Sequence, residues 1–142
     1  MKYRPERDLA FFKAFAQGTL PDHLGIEILE VGEGRLLARF EVRRELMAPN
    51  GFLHAGSLVS LADTAAGYAC ITHLPEGASG FTTVELKTNF LGTAREGFVE
   101  CEATAEHLGG TTQLWDAVCR RAGEDKPIAL FRCTQLILRP RA

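Results

Sequence analysis

Nowhere does the chain offer the roughly 18 uninterrupted apolar residues of a membrane-crossing helix; its one long apolar run is broken by His54 and Asp63. An excess of one charge is missing too. The 16 Lys and Arg against 18 Asp and Glu leave a net charge of −2, which argues against nucleic-acid binding as the main function. Cys70, Cys101, Cys119 and Cys133 stand far apart with no CxxC or CxH spacing, so they read as buried, reduced thiols of a cytoplasmic protein. His23, His73 and His107 also lack metal-ligand spacing, so no metal site is expected. The start, Met1-Lys2-Tyr3-Arg4-Pro5-Glu6, is charged but has no apolar segment after it, so no secretory signal is expected. Repeats, linkers and low-complexity tracts are absent, and 142 residues suit one domain over 1–142 with a sizeable core.

What is present is organised around one stretch, Asn50 to Cys70. A turn signal, Pro49-Asn50-Gly51, opens it. The small, almost uncharged residues that follow read as a helix over about His54 to Thr72. A helix apolar nearly all round is buried. Its one ionised residue is Asp63, with no cation three or four positions away. A buried carboxylate is costly unless it is paired or used.

Around this helix the chain reads as strands. Residues 5–17 form a short amphipathic helix with Leu9, Phe12, Phe15 and Ala16 at helical spacing. Ile26 to Val31 and Arg35 to Arg43 make a hairpin about Gly32-Glu33-Gly34, the second strand alternating Leu36, Ala38, Phe40 and Val42 against charged residues. Four further strands are predicted at Gly80–Leu91, Phe98–His107, Thr111–Arg121 and Ile128–Leu138, punctuated by glycines. Six antiparallel strands and one apolar helix imply an α+β fold, with the sheet wrapped around the helix.

That order resembles the hotdog fold. The residues His54-Ala55-Gly56, followed by Leu61-Ala62-Asp63-Thr64-Ala65, resemble the signature of hotdog acyl-CoA thioesterases of the phenylacetate-degradation branch, which includes one type of 4-hydroxybenzoyl-CoA thioesterase. The likeness runs from about Gly25 to Leu138. It implies an acyl-CoA substrate cleaved to free acid and CoA, with no cofactor beyond the CoA carried by the substrate.

The residues suit that chemistry. Thioester hydrolysis needs donors at the developing oxyanion and a base or nucleophile. The first turn of the helix has free N–H groups at the positive end of its dipole, and the small Ala55 and Gly56 admit a ligand to them. Asp63 supplies the carboxylate, as nucleophile or as base for a water. Asp63 lies eight residues beyond Ala55, about 12 Å along the axis at about 1.5 Å per residue. One carbonyl cannot touch both on one helix, so an antiparallel second copy is expected: a homodimer, doubled to a tetramer, with neither nucleic acid nor membrane as partner.

Position by position, the resemblance implies that Asp63 is the catalytic acid and that Ala55 stands where a glycine amide polarises the carbonyl. His54 orients the thioester or caps the helix. The family's Gln or Asn six residues before His54 is Ala48 here, with Asn50 as substitute or as simple turn residue. Thr83 matches a Ser or Thr that places the water, although it also reads as an ordinary strand residue. Gly67 stands where relatives have Ser or Thr one turn beyond the acid. Tyr68, Phe52, Phe81 and Phe90 are candidate acyl-pocket walls, and Trp115 reads as packing. Two alternatives stay open: a non-catalytic acyl-CoA-binding domain, and a hotdog hydratase pairing His54 with Asp63.

Overall fold

The structure, a computed structural model, describes residues 3–142; Met1 and Lys2 of the expected leaderless start lie outside them. Among the described residues, the order is α1 (Leu9–Ala16), α2 (Leu20–His23), β1 (Glu27–Gly32), β2 (Arg35–Glu41), a 3-10 turn (Arg44–Leu46), α3 (Ala55–Thr72), β3 (Gly80–Phe90), β4 (Phe98–Leu108), β5 (Thr112–Arg121) and β6 (Pro127–Leu138). The strands form one antiparallel sheet in the order β1-β2-β4-β5-β6-β3. This is the α+β, helix-on-sheet hotdog arrangement expected from the sequence.

Several boundaries differ from expectation by a single residue, and two differ by more, each for a physical reason. α1 starts at Leu9, not at residue 5, because Asp8 caps it by accepting the Phe11 N–H at 2.9 Å; a carboxylate satisfies an otherwise free amide of the first turn. β2 stops at Glu41, where the Val42 N–H turns to Gly97 O. The 3-10 turn before α3 was not foreseen; three residues carry too little periodicity to show.

The sheet can wrap α3 because both surfaces are built from small residues. Ala38, Cys101, Cys119 and Ala129 lie side by side across β2, β4, β5 and β6, all fully buried. Ala62, Ala65, Ala66 and Ala69 face them from α3. All four cysteines are free and buried and act here as small apolar fillers. The Cys101 thiol is held well above its usual range by its contact with Cys119 and by burial.

A polar string fastens the far end of α3. Trp115 Nε1 donates to Gln113 Oε1, and Gln113 Nε2 donates to His73 O, both at 2.8 Å. His73 Nε2 accepts the Gly34 N–H at 2.8 Å, while its Nδ1 lies 2.8 Å from Ala69 O. The ring is therefore neutral, with its proton on Nδ1. Burial lowers its pKa below the usual 6.5, against a smaller opposing effect of the Ala69 hydrogen bond. As pH falls, the unfolded chain takes up this proton before the folded chain does. The stability that neutral His73 supplies is full above about pH 6.5 and drains away below it. Melting temperatures should drop between pH 7 and 5, and His73→Gln should flatten that limb.

Candidate active site

The loop before α3 is a tight hairpin. The Ala48 N–H donates to Phe52 O at 2.7 Å, Met47 bridges Leu53, and Gly51 takes φ +87°, a conformation that favours glycine. Asn50 Oδ1 accepts the Phe52 N–H at 3.2 Å, so this exposed side chain shapes the turn. Leu53 N–H donates to Thr93 Oγ1 at 2.8 Å, which ties the hairpin to the loop after β3.

His54 is the N-cap of α3, with its Nδ1 accepting the Gly56 N–H at 2.7 Å. The expected pair of free amides is thus reduced: Gly56 already donates to His54. A Cβ at Gly56 would also sit 3.0 Å from His54 Nδ1, so glycine there lets the imidazole fold over the helix end. The Ala55 N–H has no acceptor among the described residues. It is exposed at the positive end of an 18-residue helix.

Asp63 lies two turns further on. Its Oδ1 is buried and finds no hydrogen-bond partner among the described residues. Desolvation raises the pKa of the carboxyl above the ordinary 3.8, because burial penalises the charged form. Burial, assisted by the Asp63 carboxylate, pushes the Cys133 thiol on β6 up to about 12. One helical turn beyond Asp63, Gly67 lies directly on Phe81, where a Cβ would stand 3.1 Å from the ring. A Ser or Thr at that position would need the ring to move. Thr83, two residues along β3 from Phe81, donates its hydroxyl to Gln135 Oε1 at 2.6 Å.

The proposed acyl walls do not form one surface within the chain. Phe81 adjoins the Asp63–Gly67 face. Tyr68 lies elsewhere on α3, stacked on Phe12 at 4.6 Å and edge-on to Phe15. It borders a cavity of about 460 Å³ beneath α1 that includes Phe12, Lys13, Ile26 and Ile28. The reason is helical rotation: at about 100° per residue, position 68 points away from position 63. Phe52 and Phe90 are half exposed, Phe52 beneath the Arg95 guanidinium at 5.2 Å. Trp115 is fully buried.

Three buried polar residues of the strands are not marked out by the sequence reading. Gln113 and Gln135 are fully buried, and Thr88 Oγ1 is buried without a partner. A polar residue at an inward position of a strand was the available signal, since Gln113 and Gln135 fall in register with the buried alternation of β5 and β6. No cluster of three or more potential metal ligands occurs among the described residues, and no helix among them is long and apolar enough to cross a membrane.

The thioesterase superfamily matches residues 50–128, which include α3 and Thr83. The chain is 31% identical over 122 residues to a 1,4-dihydroxy-2-naphthoyl-CoA hydrolase of Listeria monocytogenes, covering 86% of this chain and 98% of that one. It is 30% identical over 118 residues to a proofreading thioesterase of Cronobacter turicensis, covering 83% and 85%. Its fold superposes on a thioesterase of Haemophilus influenzae with a TM-score of 0.89 at 30% identity, over 98% of this chain and 96% of that one. A mutant thioesterase of Pseudomonas aeruginosa gives the same TM-score at 29% identity, over 96% and 97%.

Proposed function

Because this chain belongs to the thioesterase superfamily and is a hydrolase of thioesters, we propose that it cleaves acyl-CoA in the cytoplasm, with Asp63 and the Ala55 amide as its working groups. The observation that carries this reading is the pairing of two unsatisfied groups on one helix: a buried, partnerless carboxylate oxygen and a free N-terminal N–H. In the proposed reaction Asp63 takes a proton from water as the water oxygen attacks the thioester carbon. The Ala55 N–H receives the oxyanion. Collapse breaks the C–S bond, and the proton moves from Asp63 to the leaving sulfur. Free acid and CoA result. One such amide contributes roughly 3–4 kcal/mol to a transition state of this kind.

The two groups are eight residues apart, about 12 Å along α3, so the proposal includes a homodimer with a second α3 antiparallel to the first. Ala55 of one subunit then faces Asp63 of the other. β3 favours such a pairing: it is an edge strand of 11 residues whose Val84, Leu86 and Phe90 are exposed, and an uncovered edge of that length is a template for a further strand. The outer sheet face, with Leu130, Leu136 and Leu138 exposed, is available for doubling the dimer. The walls Phe81 and Phe90 would then be contributed across two subunits. Arg95, stacked on Phe52 beside the α3 entrance, offers a cation to the CoA phosphates.

Purified protein presented with aromatic and medium-chain acyl-CoAs, followed by free-thiol release, tests the reading. Turnover on at least one acyl-CoA is expected. A chain that gains melting temperature from acyl-CoA but releases no thiol would instead be a binding module.

A further inference from the structure

Seven amides run in sequence from Phe52 to Leu58, where the chain enters α3, and six of them have acceptors. Phe52 N–H donates to Asn50 Oδ1, Leu53 N–H to Thr93 Oγ1 and His54 N–H to Leu46 O. Gly56 N–H donates to His54 Nδ1, while the Ser57 and Leu58 N–H groups share His54 O. Ala55 alone among the seven has no acceptor among the described residues. The six bonds end on residues 46–54 in every case but one. The exception is Thr93, 40 residues further along the chain.

Thr93 is itself a fixed point. The Leu91 and Gly92 N–H groups donate to Ile128 O of β6, at 2.8 and 3.2 Å. A Cβ at Gly92 would stand 3.2 Å from the Ile128 side chain, so the backbone lies against it there. Ala94, on the other side, is buried in the core. Arg121 Nη1, at the end of β5, donates to Thr93 O at 3.0 Å. Leu53 is buried, and Thr93 Oγ1 is the one acceptor of its N–H among the described residues. A buried donor left unmade costs more than a made bond gains. The peptide unit between His54 and Ala55 is planar. Its carbonyl is engaged inside the helix by Ser57 and Leu58, so its N–H points the opposite way, out of the helix end. The direction of the Ala55 N–H is thus set by α3. Its place relative to the sheet is set by how the entering chain is fastened, two residues earlier, to Thr93.

We propose that Thr93 is a positioning residue for the oxyanion donor. Its hydroxyl oxygen holds the Leu53 N–H at 2.8 Å and so transmits the position of the ends of β5 and β6 to the start of α3. The Ala55 N–H is thereby kept where the thioester oxygen needs it. A donor displaced by about 1 Å through a change away from the chemistry can cost about a hundredfold in rate, which gives the tie its catalytic weight. Thr93 acts through Ala55 and takes no proton and no bond in the reaction. This rests on the thioesterase reading given above, with Ala55 as the donor.

Thr93→Val keeps the branched shape and removes the oxygen. It should lower kcat on the order of tenfold or more, with KM within about twofold. Thr93→Ser returns the oxygen and should restore kcat to within about twofold of the wild type. In Ala55→Pro there is no N–H left to place. Adding Thr93→Val to that variant should change kcat by less than about twofold, since two residues acting through one group are not additive. A tie that served stability alone would lower kcat by the same factor in both backgrounds. The acid limb of the kcat–pH profile, assigned to Asp63, should stay in place in Thr93→Val. In the wild type the Leu53 amide should exchange its hydrogen slowly and the Ala55 amide fast. An undiminished kcat in Thr93→Val, no rescue by serine, multiplicative effects with Ala55→Pro, a shifted acid limb, or an unprotected Leu53 amide would each overturn the proposal. Full activity in Ala55→Pro alone would strike at the reading of Ala55 instead. If Thr93→Val does not fold, Thr93→Ala takes its place in each comparison, and exchange at Leu53 in the wild type still decides.

Discussion

Asp63→Asn should lower kcat at least a hundredfold and raise the melting temperature together. The first effect follows from removing a base, which is worth about 10²–10⁴-fold. The second follows from the folded chain alone. Oδ1 of Asp63 is buried without a donor, and burial raises its pKa above 3.8. The native state therefore holds its proton at pH values where the unfolded state has released it. Stability from this group is present below about pH 3.8 and is lost as pH rises through the raised folded value. At neutral pH the ionised form is a burden on the fold. Asparagine has the same shape and no charge, so it removes that burden, and a rise of a few degrees in melting temperature is expected, since about 1 kcal/mol corresponds to a few degrees in a domain of this size. The wild type should lose stability from pH 4 towards neutrality in a way the variant does not. His73 works in the opposite direction, over the window below pH 6.5, so the two are separable by comparing the single variants. A lower melting temperature in Asp63→Asn would mean that Asp63 has a structural partner in the assembled protein.

The parts of this architecture that were legible from sequence are those carried by period and punctuation. β2 alternates Leu36, Ala38 and Phe40 inward, and the glycine turns at residues 32–34 and 109–110 separate strands where they were expected. α3 was identifiable because eighteen residues with a single charge have only one place to go in a protein of this size. Asp63 stood out for the same reason: a lone charge on a buried element is a contradiction visible in one dimension. What was not legible is whatever depends on rotation about an axis or on a partner from elsewhere in the chain. Tyr68 is a neighbour of Gly67 in sequence, yet it stacks on Phe12 while Gly67 touches Phe81. Gly56 reads as a free amide until His54 is seen to fold back on it. Gln135 sits within an ordinary alternating strand, and its buried polar contact emerges only when Thr83, 52 residues away, is found donating to it.

Ala55→Pro should be the cleanest removal of the oxyanion donor. Ala55 is the first residue of α3, where proline is favoured and where the missing N–H breaks no helix bond. The residue before a proline must be extended, and His54 already has φ −61° and ψ 135°. The helix should form as before, with the melting temperature close to that of the wild type, while kcat falls about 10²–10³-fold. Combining this variant with Asp63→Asn then tests the shared site. Each homodimer lacks one component in both of its sites. In a mixed dimer one site has lost both groups, but the other pairs an intact Ala55 amide with an intact Asp63. Equal mixing after unfolding and refolding gives half mixed dimers with one good site of two, so about a quarter of wild-type activity should return. Were both groups supplied by the same chain, every site would remain defective and mixing would restore nothing. Eight residues along one helix, about 12 Å, is too far for both groups of one chain to meet a single carbonyl, so recovery near a quarter is the expected result.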